Sequence, residues 1–156
     1  MNSLLIAEGL VARTVEILQL GGLQNCEAVV LWLGSSNDVR EVYRPEQVVD
    51  VDYFRLPTQS VRSLMAHLRA TRQRVLAQVH SHPGEAFHSR ADDKWAIVRH
   101  EGALSFVLPK FAAHTDAGTF LDDASVYRLS AADKWERVHA HEHLIIGNVD
   151  HDGAIS

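Results

Sequence analysis

"VHSHPGEAFHSRADDKW", residues 79–95, decides how the rest of the chain is read. Its front half completes "RVLAQVHSH" (74–82), a predicted strand that Pro83-Gly84 terminates. Side chains two apart on a strand share a face, so His80 and His82 project together at the strand's C-terminal end. Two imidazoles on one face are half of a tetrahedral zinc site. Asp92 lies just past the loop, in the first turn of a short helix predicted over 89–100. A His80–His82–Asp92 set leaves a fourth position for water, which is the catalytic rather than the structural arrangement. Glu27, on another predicted strand, is the best-placed base if that strand lies beside 74–82. The same residues admit a plain structural reading. Ser89 as helix N-cap, with Asp92 at the third position, stabilises a helix without any metal.

Working outward, residues 4–20 read as a helix. Ala7, Leu10, Val11, Thr14 and Leu18 recur at helical spacing, and Gly21-Gly22 supplies a stop. "CEAVVLWLG" (26–34) is a short apolar run whose length and valines favour a buried strand. "VREVYR" (39–44) alternates and reads as its antiparallel partner across the turn "SSND". A helix starts at Pro57-Thr58, with Val61, Leu64, Met65 and Leu68 as its expected buried stripe. "ALSFVLP" (103–109), "SVYRLS" (125–130) and "KWERVH" (134–139) are predicted strands. From Leu144 no period is evident, so residues 1–143 are expected to form the domain and 144–156 a flexible tail. The class expected is α/β (α+β), a single mixed domain.

Composition narrows the function. A chain of 156 residues is most simply one domain with a real core. A net charge of −5 argues against a broad phosphate-binding surface, so no nucleic acid is expected. Arg62, Arg69, Arg72 and Arg74 read as a solvated helix face. One cysteine, Cys26, cannot form an intramolecular disulfide. The apolar run from Leu4 to Ala7 stops at Glu8, so neither a signal peptide nor a membrane span is expected, and the expected location is cytoplasmic.

The histidine stretch resembles the JAMM metalloprotease signature, also called MPN-plus or JAB. That signature is an upstream glutamate, His-Ser/Thr-His-Pro, a loop of about six residues and Ser-x-x-Asp. Here the pieces are "HSHP" (80–83), "GEAFH" (84–88) and "SRAD" (89–92), with "EAVVLWLG" (27–34) resembling the glutamate strand. The order of elements over roughly residues 4–139 is similar too. The loop is one residue shorter than usual, Val30 replaces a small residue, and Asp93 beside Asp92 offers a second register.

The resemblance implies a largely antiparallel mixed sheet flanked by helices, the cytidine-deaminase-like MPN fold. It implies zinc held by His80, His82 and Asp92, a zinc-bound water deprotonated by Glu27, and Ser89 supporting the oxyanion. The bond cut would follow the C-terminus of ubiquitin or a ubiquitin-like protein, whose conjugates are the expected partner. The short segments 46–57 and 110–118 make the chain look like the compact prokaryotic type, which accompanies ubiquitin-like or sulfur-carrier systems, some serving antiviral defence. Alternatives are processing of a sulfur-carrier protein, or a catalytically silent scaffold. Silent members typically lose ligands, whereas Glu27, His80, His82, Ser89 and Asp92 are all present. "HAHEH" (139–143) could bind metal, although a histidine-rich strand end is the simpler reading. Cys26 is expected to be a buried thiol. Trp32, Trp95 and Trp135 are expected in or near the core, with Trp95 also a candidate for the substrate groove.

Overall fold

The apolar run with the glutamate and the run with the two histidines become neighbouring central strands. The computed structural model describes residues 3–49, 54–86 and 99–147. In chain order the elements are β1 (Leu4–Ala7), α1 (Glu8–Gly22), β2 (Val29–Ser35), β3 (Asp38–Tyr43), β4 (Val48–Val49), β5 (Phe54–Arg55) and α2 (Thr58–Thr71). They continue with β6 (Arg74–Ser81), β7 (Leu104–Leu108), a tight turn at Lys110–Ala112, α3 (Phe120–Asp123), β8 (Ser125–Leu129), β9 (Trp135–Val138), α4 (Ala140–His143) and β10 (Leu144–Gly147).

An eight-stranded sheet carries the order β10-β1-β3-β2-β6-β7-β8-β9, and β4 and β5 form a separate two-stranded ribbon. Pairing is parallel at β10–β1, β1–β3 and β6–β7 and antiparallel elsewhere in the large sheet. β2 is an unbroken apolar run because both of its faces are covered. Val30 and Trp32 join the cluster with Val11, Val15 and Leu18 of α1. Val29, Leu31 and Leu33 face the other way, against Leu64 of α2. Trp32 is the largest side chain in the core, with ring centroids 5.0 Å from Phe106 and 5.7 Å from Phe120. Its indole Nε1–H donates to Thr14 Oγ1 at 2.9 Å, and the same hydroxyl donates to the Leu10 carbonyl.

Several expectations change. Residues 4–7 are a strand, not the first turn of a helix, and Ala7 is extended at φ −70°, ψ 144°. A short apolar run does not by itself distinguish the two forms. What selects the strand is β10, which pairs with β1 from Leu4↔Leu144 to Ala7↔Gly147. That pairing also corrects the start of the expected tail, because Leu144–Gly147 is ordered by β1. α2 buries Ser60 and Leu64, while Val61 is 42% and Met65 49% exposed. The contact line has turned toward Ser60, Leu64 and His67, whose ring lies 5.0 Å from that of Tyr43 and whose Nε2 is 2.8 Å from Glu41 Oε1. Cys26 is half-buried rather than buried. The helix expected over 89–100 lies outside the described residues up to 98, and Arg99 and His100 are non-helical.

Because Trp32 Nε1 is buried, Thr14→Val should leave its N–H without an acceptor and cost about 1–3 kcal/mol. Urea unfolding checks this, and Trp32→Phe in the Thr14→Val background should make the two losses non-additive.

Candidate metal centre

The site begins with strand register. β2 and β6 run antiparallel with Val29 across from His80. One step further, Ser81 N–H donates to the Ala28 carbonyl at 3.1 Å, and Ala28 N–H donates to Ser81 Oγ at 3.2 Å. Continuing the register by one more pair sets Glu27 across from His82. The two-residue period then places Glu27, His80 and His82 on one face, the face that carries Val29 and Leu31. His82 Nε2 lies 3.4 Å from Glu27 Oε1, and the His80 and His82 rings have centroids 5.9 Å apart. One ligand atom from each of the three residues lies within 4.8 Å of the others. All three are buried, Glu27 and His80 completely.

The neighbouring elements hold the backbone that carries these side chains. Gln47 acts as a short strand for Val29 once β3 has ended. Its Nε2 donates to the Val29 carbonyl at 3.0 Å, and its Oε1 accepts from Val29 N–H at 2.7 Å. On the other side of β6, Gln78 Nε2 donates to Ser105 Oγ of β7 at 3.0 Å, and His82 N–H donates to the Leu108 carbonyl at 2.8 Å. Ser125 Oγ donates to the Ala86 carbonyl at 2.8 Å and accepts from Arg137 at 3.2 Å, tying Ala86 to β8 and β9.

This donor set suits a divalent metal. Imidazole nitrogen and carboxylate oxygen are zinc's usual ligands among non-sulfur side chains. A carboxylate with no exposure is costly to ionise unless positive charge accompanies it, and a cation beside two imidazoles supplies that charge. It is the one such group of His, Cys, Asp or Glu among the described residues.

Glu27, His80 and His82 are thus brought together, whereas Ser89, Asp92, Asp93 and Trp95 lie outside the described residues. The sequence reading gave no role to Ser81 or Gln47. For Ser81 the signal was its place between the two histidines; for Gln47 nothing local marks it. The cluster at 139–143 does not converge. His141 is exposed 3.4 Å from Asp122 Oδ1, while His143 lines a separate cavity of about 540 Å³ with Arg74 and His100. Partial burial, then Arg74, lowers the pKa of His100. Burial and then Arg128 lower that of His143, against a smaller opposing effect of Glu142.

A mixed sheet with helices on both faces thus carries a buried Glu–His–His set, with Glu27 just before β2 and the histidines at the end of β6. Solved structures share the fold. A Desulfitobacterium hafniense protein aligns at TM-score 0.64 and 16% identity, over 93% of this chain and 94% of that one. A JAB1/MPN domain protein from Archaeoglobus fulgidus aligns at 0.51 and 17%, over 93% and 99%. The JAMM metalloprotease-like zinc site in the proteasome and signalosome aligns at 0.51 and 16%, over 92% and 99%. No family model matches the chain. Its sequence is 35% identical over 127 residues to "Probable metalloprotease y4jG" of Sinorhizobium fredii, covering 75% of each protein. The chain therefore belongs to the family of that probable metalloprotease and has the JAB1/MPN fold. Among the described residues no helix is long and apolar enough to cross a membrane.

Ser81→Ala should leave the buried Ala28 N–H without its acceptor and cost about 1–3 kcal/mol in denaturant unfolding. Faster amide exchange at Ala28 than at Val30 would locate the damage at the Glu27 end of β2.

Proposed function

We propose that the chain is a zinc-dependent isopeptidase or peptidase that cleaves after the C-terminus of a ubiquitin-like protein. The observation that carries this reading is the buried Glu27 carboxylate, 3.4 Å from His82 Nε2 and on one face with His80. His80 and His82 would hold the metal, together with Asp92 of the Ser-x-x-Asp motif. Bound there, zinc would supply a Lewis acid that acidifies water and polarises a carbonyl. Glu27 is the proton carrier. It takes a proton from the attacking water and delivers one to the departing amine, for which it needs to sit beside the ligands without being consumed by them. The Ser89 hydroxyl donates to the carbonyl oxygen as charge builds there. An extended substrate tail would be read largely through its backbone by strand addition, which suits a small-residue C-terminus. Family membership and the likeness to the JAMM site of the proteasome and signalosome support a peptide-type bond as the target.

Protein prepared without chelator should contain about one zinc per chain by elemental analysis, as three ligands plus water make a catalytic site. His80→Ala and His82→Ala should lose it, and Glu27→Gln should keep it. Absence of zinc, with no uptake on addition, removes the metal reading.

Cleavage of fusions carrying ubiquitin-like domains tests the reaction. Glu27→Gln should lower kcat by about 10²–10⁴-fold while retaining zinc and substrate binding. Undiminished cleavage by that variant would reject the mechanism. Zinc-loaded wild type that cuts no such fusion would point to sulfur-carrier processing or a scaffold.

A further inference from the structure

Just after β7 the backbone takes a course that L-residues avoid. Lys110, Phe111 and Ala112 have φ of 54°, 55° and 61°. In this left-handed region Cβ crowds the following carbonyl, so it is visited as single residues, most often Gly or Asn. Three consecutive residues there, none of them Gly or Asn, persist only where the surroundings impose the conformation, and such strain gathers at functional sites.

The turn's hydrogen bonds show what it accomplishes. Phe111 N–H donates to the His82 carbonyl at 2.8 Å, and Lys110 N–H donates to the Gly84 carbonyl at 2.9 Å. In an extended strand successive N–H groups point to opposite sides. The left-handed turn aims two successive ones the same way, back onto the segment that leaves β6. With His82 N–H already on Leu108, the backbone of His82 is held through both its N–H and its carbonyl.

α1 imposes the turn from behind. Gln19 Nε2 donates to the Ala112 carbonyl at 2.9 Å and to the Thr115 carbonyl at 3.3 Å. One helical turn later Gly22 lets the chains touch. A Cβ there would stand 2.5 Å from Phe111 Cβ and 3.2 Å from the Phe111 carbonyl oxygen. Ala112 is fully buried, so the turn is pinned between α1 and the end of β6.

We infer that the left-handed turn Lys110–Ala112, clamped by Gln19 and Gly22, positions His82 for metal binding. Gln19 is a positioning residue in this scheme and touches neither metal nor substrate. The inference rests on the metal reading above.

The test is zinc affinity, measured by competition with a chromophoric chelator. Wild type, His82→Ala, Lys110→Gly, Lys110→Val and Gln19→Leu are compared, and metal-free thermal unfolding is followed in parallel. Lys110 is exposed, and glycine adopts positive φ at no steric cost, so Lys110→Gly should bind within about threefold of wild type. Valine keeps the N–H but resists positive φ. Lys110→Val and Gln19→Leu should therefore each weaken zinc about tenfold or more, the loss typical when a ligand's support is removed. If Gln19→Leu does not fold, the Lys110 pair decides. Equal affinity for Lys110→Gly and Lys110→Val overturns the inference, because backbone conformation would then not matter. So does wild-type binding by folded Lys110→Val while His82→Ala loses zinc. If His82→Ala binds as tightly as wild type, the metal reading itself falls and this inference with it.

Discussion

The reciprocal hydrogen bonding of Ala28 and Ser81 sets the register on which the site depends. A strand pair has a period of two, so a slip of one residue would turn Glu27 to the opposite face from both histidines. The sheet resists that slip from both sides. Val30 and Trp32 are committed to the α1 side, and Val29, Leu31 and Leu33 to the α2 side. Irregularities in pairing are confined to the far end of β2, between Trp32 and Gly34, away from the glutamate. There Gly34 lets the hairpin close tightly, since a Cβ would run into the Asp38 carbonyl.

The site has a layered physical logic. The side chains that would do chemistry are buried, and backbone contacts from three directions fix their strand ends: Gln47 on β2, Leu108 of β7, and Phe111 of the turn after it. Leu108 continues the β6–β7 ladder by one bond, while Gln47 and Phe111 stand in for ladder partners where regular strands have stopped. The sheet therefore stays closed at the edge of the site although its strands end at different heights.

Much of this was legible in the sequence because it is local. The histidine strand, its Pro-Gly stop, the apolar glutamate strand and its hairpin each rest on periodicity or turn chemistry within about ten residues. The resemblance to a zinc metalloprotease signature joined pieces that spacing alone left apart. Long-range pairing was what local pattern could not show. Leu4–Ala7 looked like the start of a helix, and Leu144–Gly147 like a tail, because each is a strand only in the presence of the other. The same holds for α2, whose apolar stripe predicted burial of Val61 and Met65. Tertiary contact chose the neighbouring line through Ser60 and Leu64. Gln47 and the left-handed turn were invisible for a related reason: neither residue type advertises the conformation it takes.

The parallel pairing of β1 with β10 also bears on how the chain folds. β1 pairs in register with β3 only at Leu5↔Asp38, so its full ladder appears only when residues 144–147 are available. Contacts spanning nearly the whole chain raise contact order, and the entropy of closing so large a loop must be met before the contact repays it. This sheet edge therefore carries a larger loop-closure cost than the β2–β3 hairpin. During synthesis, the central strands β2, β3 and β6 can pair while the β1 edge is still open, and residues 144–147 cover that edge once they are available.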